Sequence, residues 1–133
     1  MDAPRQIKIA IVLSWAVLVI QTAERLWGIS IDPDANNHTR FAFIWLSVTA
    51  STAVVVALFI VFASRRRNWG RIALLVSTLA GWSMWLFYPR GFAEYLWWQW
   101  LAYGILTGME VTALILLFRG AGATWYRTAA GLG

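Results

Sequence analysis

Glu110 is the residue of this sequence best placed to do chemistry, because it stands alone near the middle of a long apolar stretch. Apolar residues follow it, among them Val111 and Leu114. A charged side chain at the centre of a bilayer costs at least ~2.5 kcal/mol, so Glu110 should face other helices. Two interpretations remain open. It is either a proton-coupled or ion-binding group in a transport path, or a structural carboxyl bonded to a Ser or Thr of a neighbouring helix.

A polar stripe in the first apolar stretch is the second candidate. It consists of Ser14, Gln21, Glu24, Arg25 and Gly28, which fall on about one side of a helix at offsets close to three, four and seven. One interpretation is an outward-facing polar cavity completed by Gln99 and Glu94. The other is a helix end at the interface, with the Arg25 side chain extended towards water and a carboxylate as its partner.

Small residues recur at every fourth position in the last apolar stretch, at Gly104, Gly108 and Thr112. This G-x-x-x-G step allows two helix backbones to approach closely and predicts a packing face. The spacing does not say whether the partner helix belongs to the same chain.

The turn containing Arg65, Arg66, Arg67 and Arg71 is strongly basic. Such a cluster next to an apolar stretch either fixes the orientation of the helices or binds anionic lipid headgroups.

Other chemistries are excluded or disfavoured. The sequence has no cysteine and a single histidine, His38, so thiolate catalysis and a His-ligated haem or zinc site in the membrane are excluded. The loop 32–43 begins like a calcium loop but lacks the required Gly at its sixth position and Glu at its twelfth. We predict no catalytic residue, no metal and no cofactor, because no nucleophile–base pair or phosphate loop is present.

The elements that position these residues follow from composition. Of the 133 residues, 60% are hydrophobic and 13% charged, whereas soluble domains are about half apolar and a quarter charged. Four stretches approach the ~20 residues that a spanning helix needs. They are 7–29, 41–63, 71–88 and 95–118. We therefore predict one membrane domain over 1–133, an all-α antiparallel bundle of four transmembrane helices.

The charges predict the orientation. Eight of the eleven basic residues flank one side of the predicted spans, which puts both termini in the cytoplasm under the positive-inside rule. The predicted location is the inner, or plasma, membrane. Membrane insertion also accounts for the net charge of +5, so we predict no nucleic-acid partner. The tail 120–133 is expected to lie at the inner surface or to be disordered.

Two segments resemble small, uncharacterised four-span bacterial inner-membrane proteins. One is the opening 4–10, which runs into Leu13, Ser14 and Trp15, and the other is the basic turn 65–72. The resemblance implies a membrane location and no activity. Small multidrug transporters have a similar size, but their essential Glu lies in the first span, whereas Glu110 lies in the fourth.

These features predict a non-enzymatic accessory or interaction subunit that works through helix–helix contacts. It would pair with a second copy or with another membrane protein, and the lipid bilayer would surround it. The alternative is a small proton- or ion-coupled transporter or channel that uses Glu110.

Overall fold

The described part of the chain is entirely helical. The computed structural model describes residues 3–31, 39–87 and 97–131. These residues form α1 (Arg5–Ile31), α2 (Thr39–Ser64), α3 (Asn68–Phe87), α4 (Trp97–Phe118) and α5 (Ala121–Gly131). Three of these helices, α1, α2 and α4, are long and apolar enough to cross a membrane. The predicted all-helical class and the predicted presence of membrane-spanning helices are confirmed.

The helix boundaries agree closely with the apolar stretches. α1 and α2 extend one or two residues beyond the predicted limits, α3 begins three residues early, and α4 ends at the predicted residue. Polar and charged residues continue these helices because groups at the end of an apolar stretch can still be solvated. Residues 88 and 95–96 of the predicted stretches lie outside the described residues.

Successive helices run in opposite directions, and α1 is central. It packs against α2 on one side and α4 on the other, and α2 packs against α3. α3 meets α4 over a much smaller surface. The first residues of α1 and α3 and the last residues of α2 and α4 therefore lie at one end of the bundle. We call it the basic end, because eight of the eleven basic residues flank these helix termini in the sequence.

The turn between α2 and α3 has an arginine where a glycine is usual. Arg66 adopts φ 65°, its N–H donates to Ala63 O, and the next N–H, of Arg67, donates to Phe62 O. This pattern closes a helix through a left-handed residue, for which glycine is preferred because it has no Cβ. In the following turn of α3, a Cβ at Gly70 would lie 2.5 Å from Ala63 N, so only glycine allows the two helices to approach this closely.

Residues Ala121–Gly131 form a helix, which the four glycines of the tail 120–133 did not predict. Gly120, with φ 57°, ends α4 in the left-handed conformation, and α5 then packs across the basic end. Trp125 and Tyr126 of α5 are buried, and the Tyr126 hydroxyl donates to Ala63 O at 2.6 Å. Burial of these two aromatic rings stabilises a helix that its own sequence favours only weakly.

The main buried cluster lies at the basic end. Its members are Ile7, Ala10, Ile60, Ala63, Leu74, Ala113, Leu117, Trp125 and Tyr126. In the other half of the bundle, most large apolar side chains of the described residues are exposed, as expected for side chains that face lipid.

Candidate functional site

Glu110 lies between three helices. Its Oε1 accepts a hydrogen bond from Gln21 Nε2 of α1, and its Oε2 accepts one from Trp82 Nε1 of α3 at 2.9 Å. The side chain is half-buried and projects from the inner face of α4. Each carboxyl oxygen therefore holds a donor from a different helix, and both donors are neutral. The sequence argument that Glu110 faces other helices agrees with this geometry.

Local helix geometry explains how these side chains meet. α1 and α4 run antiparallel: Gln6 Nε2 of α1 bonds to Leu116 O near the end of α4, and Gln21 Nε2, further along α1, bonds to Glu110, which comes earlier in α4. α3 also runs antiparallel to α4, and Arg71 Nη1 donates to Leu117 O at 2.9 Å. Since α3 and α4 share little surface, the bonds that Glu110 and Leu117 O accept from Trp82 and Arg71 help to hold these helices together.

The partner on α3 is an indole and not one of the expected hydroxyls. Thr78 and Ser83 donate instead to carbonyl oxygens four residues back on the same helix, as Thr52 does in α2. Hydroxyls in helices often make this bond, so a list of nearby Ser and Thr residues overstates the available partners. The sequence signal for Trp82 was its depth, because an indole far from either interface needs an acceptor.

The other members of the predicted polar cavity are not gathered around Glu110. Glu24 and Arg25 are exposed, and no ion pair joins either of them to another described residue. Gln99 is half-buried and lies on the same side of α4 as Glu110, but about three turns before it. Glu94 lies outside the described residues. Of the residues in the polar stripe, only Gln21 is hydrogen-bonded to Glu110 among the described contacts.

The predicted packing face of α4 points away from the bundle. Gly104, Gly108 and Thr112 are all exposed, and a Cβ at either glycine would meet nothing within 4 Å. Residues two apart differ by about 200° around a helix, so Gly108 and Glu110 lie on nearly opposite sides of α4. Thr112 Oγ1 donates to Gly108 O at 2.7 Å, so the Thr112 hydroxyl is satisfied within its own helix. Among the described residues, the stripe packs against no other helix.

The four arginines of the basic turn have different surroundings. Arg65 and Arg67 are exposed. Arg71 caps the end of α4 through Leu117 O and lies over the rings of Phe118 and Tyr126, at 4.6 and 4.5 Å from the ring centroids. A cation beside the last carbonyl groups of a helix stabilises the helix dipole. Arg71 is therefore part of the packing of the basic end.

Arg66 is held against α5. Its Nε donates to Trp125 O at 2.9 Å, and its guanidinium carbon lies 5.2 Å from the centroid of the Trp125 ring. Beside it, burial raises the pKa of Tyr126 to about 12, partly offset by the positive charge of Arg71. The phenol of Tyr126 is therefore neutral at physiological pH and serves as a donor to Ala63 O.

No three His, Cys, Asp or Glu side chains come together in the described part of the chain. The arrangement around Glu110 can hold helices together, and it can accept or release a proton. No protein-family model, curated protein or solved structure matches this chain. The resemblance to four-span bacterial proteins consequently stays a prediction.

Proposed function

We propose that this chain is a four-span protein of the plasma membrane, with both termini in the cytoplasm, that acts through lateral helix contacts and not through catalysis. α3, as the remaining span, has 20 residues, about the 30 Å of the hydrocarbon core at 1.5 Å per residue. It lies antiparallel to α2, which is itself long and apolar enough to span. The basic end is the cytoplasmic end under the positive-inside rule.

The observation that carries this proposal is the double-sided character of α4. One side buries Leu106, Ala113 and Leu117 within the bundle. The other side exposes Gly104 and Gly108 with open space above both glycines. An ordinary lipid-facing helix would fill such positions with large apolar side chains. A glycine stripe instead lets a second backbone approach, with gains in van der Waals contact that lipid does not supply.

The proposed occupant of this face is a second copy of the chain. In a two-fold pair each subunit contributes the same patch, so a stripe of small residues on one α4 meets the same stripe on the other. The flanking Leu101, Ile105 and Ile115 are exposed and can pack beside the crossing point. The face is thus complementary to itself without any change in the described fold.

Cysteine cross-linking in membranes tests this proposal directly, because the natural sequence contains no cysteine. Thr112→Cys puts a thiol on the stripe, and Val54→Cys puts one on an equally lipid-exposed position of α2. We expect oxidation to give a covalent dimer with Thr112→Cys and little with Val54→Cys. Equal cross-linking of both variants would mean random collision. Cross-linking of Thr112→Cys only to a different membrane protein would replace the second copy by a heterologous partner.

The proposed orientation has a separate test. Ser64→Cys lies at the basic end and Ser30→Cys at the opposite end of the bundle. A membrane-impermeant maleimide added to intact cells should label Ser30→Cys and leave Ser64→Cys unlabelled until the membrane is opened. The reverse pattern would overturn the cytoplasmic assignment of the basic end.

Glu110 favours a second candidate function, proton-coupled transport. Its carboxyl is held only by neutral donors, and no described cation is paired with it. If it carries protons, vesicles containing the protein should collapse an imposed pH gradient faster than empty vesicles, and Glu110→Gln should abolish the difference. Equal rates for wild type and Glu110→Gln would leave Glu110 with its structural role alone.

A further inference from the structure

A groove at the basic end combines a positioned arginine with an aromatic floor. It has a volume of about 390 Å³ and lies where α5 crosses the start of α1 and the turn after α2. Its lining consists of Pro4, Arg66, Ala121, Thr124, Trp125 and Thr128. We propose that this groove binds a phosphate group, with Arg66 as the recognising residue. The phosphate would come from an anionic lipid headgroup or from free phosphate.

The side chain of Arg66 is held in place, but its terminal amino groups are available for a ligand. Its Nε is bonded to Trp125 O and its guanidinium lies over the Trp125 ring. Its two terminal amino groups make no hydrogen bond or ion pair with any described residue. A guanidinium offers donors in a planar fork that matches two oxygens of a phosphate, and prior positioning reduces the entropy lost on binding. Arg65 and Arg67 are exposed and have no comparable support.

The backbone of Arg66 supports a role beyond folding. The residue has φ 65°, a conformation that is unfavourable for an L residue other than glycine. The equivalent turn after α4 uses Gly120, which adopts φ 57° without that cost. A residue that keeps a strained conformation where glycine would fit is a reason to look for a function of its side chain.

One buried donor beside the groove has no acceptor among the described residues. The indole Nε1 of Trp125 is buried and has no hydrogen-bond partner among the described residues. Buried polar groups are normally satisfied, and an unsatisfied one indicates that an additional ion or solvent molecule belongs nearby. The described residues of the basic end carry no carboxylate side chain, since Glu24 and Glu110 lie far along α1 and α4 from it. A ligand here should therefore supply acceptors and negative charge.

The hydroxyl hydrogens of the two groove threonines already have acceptors. Thr124 and Thr128 each donate their hydroxyl hydrogen to a carbonyl oxygen four residues back in or before α5. They therefore present no spare donor to an anion, and recognition rests on Arg66. Pro4 and the Trp125 ring provide an apolar border, against which the glycerol and first methylene groups of a lipid can pack.

Binding of phosphatidylglycerol to the full chain in a zwitterionic detergent tests the site. The readout is the apparent Kd, obtained from native mass spectrometry, with phosphatidylcholine and inorganic phosphate as the comparison ligands. The key variant is Arg66→Gly, because glycine suits φ 65° and should leave the fold intact. The matched control is Arg65→Ala, which removes the same charge from the same turn outside the groove. Arg66→Lys keeps the charge without the fork and serves if the glycine variant does not fold.

We expect the wild type to bind phosphatidylglycerol more tightly than phosphatidylcholine. Arg66→Gly should weaken phosphatidylglycerol binding about tenfold or more through loss of charge-assisted hydrogen bonds. Arg65→Ala should weaken it by about fivefold at most, as expected for one nearby surface charge.

Competition by inorganic phosphate at equal concentration would identify free phosphate as the ligand, and its failure to compete would identify the lipid headgroup. Equal losses in Arg66→Gly and Arg65→Ala would overturn the site, since binding would then depend on total charge alone. This outcome is independent of dimer formation through α4.

Discussion

The basic end and the opposite half of the bundle hold their helices together differently. At the basic end, Leu117 and Tyr126 are completely buried, and polar side chains such as Gln6 and Arg71 tie one helix to the end of another. In the opposite half, most described apolar side chains are exposed, and the polar contact at Glu110 joins α4 to α1 and α3. The contrast shows where the chain stabilises its own fold and where it leaves helix surface exposed.

Glycines make the same contrast on a smaller scale. At Gly70 and Gly122 an added Cβ would collide with backbone of a neighbouring segment, so these glycines serve the fold of the single chain. At Gly104 and Gly108 the same atom would meet nothing. The sequence alone therefore does not distinguish a glycine that close packing requires from one that lies in open surroundings.

The largest expected loss of stability comes from creating a cavity at the basic end. Leu117→Ala removes a side chain with 0% exposure and should lower the free energy of unfolding by about 2–5 kcal/mol. Ile115→Ala, two residues away and 49% exposed, is the matched control and should cost far less. Equilibrium unfolding in mixed micelles measures both. Similar losses for the two variants would show that the basic end is not packed as described.

The next effect comes from overpacking. Gly122→Ala places a Cβ against Leu116 O and should destabilise the fold by about 1–3 kcal/mol. Gly108→Ala should leave the stability of the isolated chain unchanged or raise it slightly, because alanine is the better helix former and space is available. The melting temperatures of the two variants at high detergent excess provide the comparison. A more stable Gly122→Ala would contradict the close packing of α5.

The two regions were not equally predictable from the sequence. The limits of the apolar helices follow from hydrophobic length, because a span must be about 20 apolar residues long. Of the four predicted spans, α1, α2 and α4 are long and apolar enough to cross a membrane. Glu110 could be predicted to face other helices because a charged side chain is costly in lipid. Its partners could not be predicted, since Gln21 and Trp82 lie 89 and 28 residues before Glu110 in the sequence and no periodicity links them to it.

α5 was missed for a related physical reason. Its glycines and threonines have low helix propensity, and the stabilising burial of Trp125 and Tyr126 depends on a surface formed by α1 and α2. The role of Arg66 was also hidden, because a run of arginines does not show which one adopts φ 65°. Tertiary contacts, and not local patterns, determine both features.

A smaller effect on stability is expected from the hydrogen bond between Trp82 and Glu110. Trp82→Phe removes the donor and Glu110→Leu the acceptor of the same hydrogen bond, so their effects on stability should not add. A double-mutant cycle should give a coupling energy of about 0.6–1.7 kcal/mol, the range for hydrogen bonds between membrane helices. A coupling energy near zero would mean that the Trp82–Glu110 hydrogen bond does not persist in the folded protein.

The smallest effect concerns the phenol of Tyr126. Tyr126→Phe removes its bond to Ala63 O and should cost about 0.5–1.5 kcal/mol at neutral pH. The folded pKa of about 12 lies above the ordinary value of 10, so the contribution is complete below pH 10 and is lost as the pH rises towards 12. Thermal unfolding from pH 8 to 12 should show the difference between wild type and Tyr126→Phe shrinking. A constant difference would show that Tyr126 is not the titrating group.

Dimerisation in lipid bilayers tests the central claim most directly. Fluorescence energy transfer between labelled copies, followed while the lipid-to-protein ratio is raised, measures the affinity of the pair. Gly108→Ile fills the stripe of α4, and Gly28→Ile is the matched control, since Gly28 is an exposed glycine of α1 with equally open surroundings. We predict that wild type and Gly28→Ile pair with similar affinity and that Gly108→Ile pairs about tenfold more weakly or not at all. A wild-type protein that stays monomeric, or two variants that weaken the pair equally, would contradict the account.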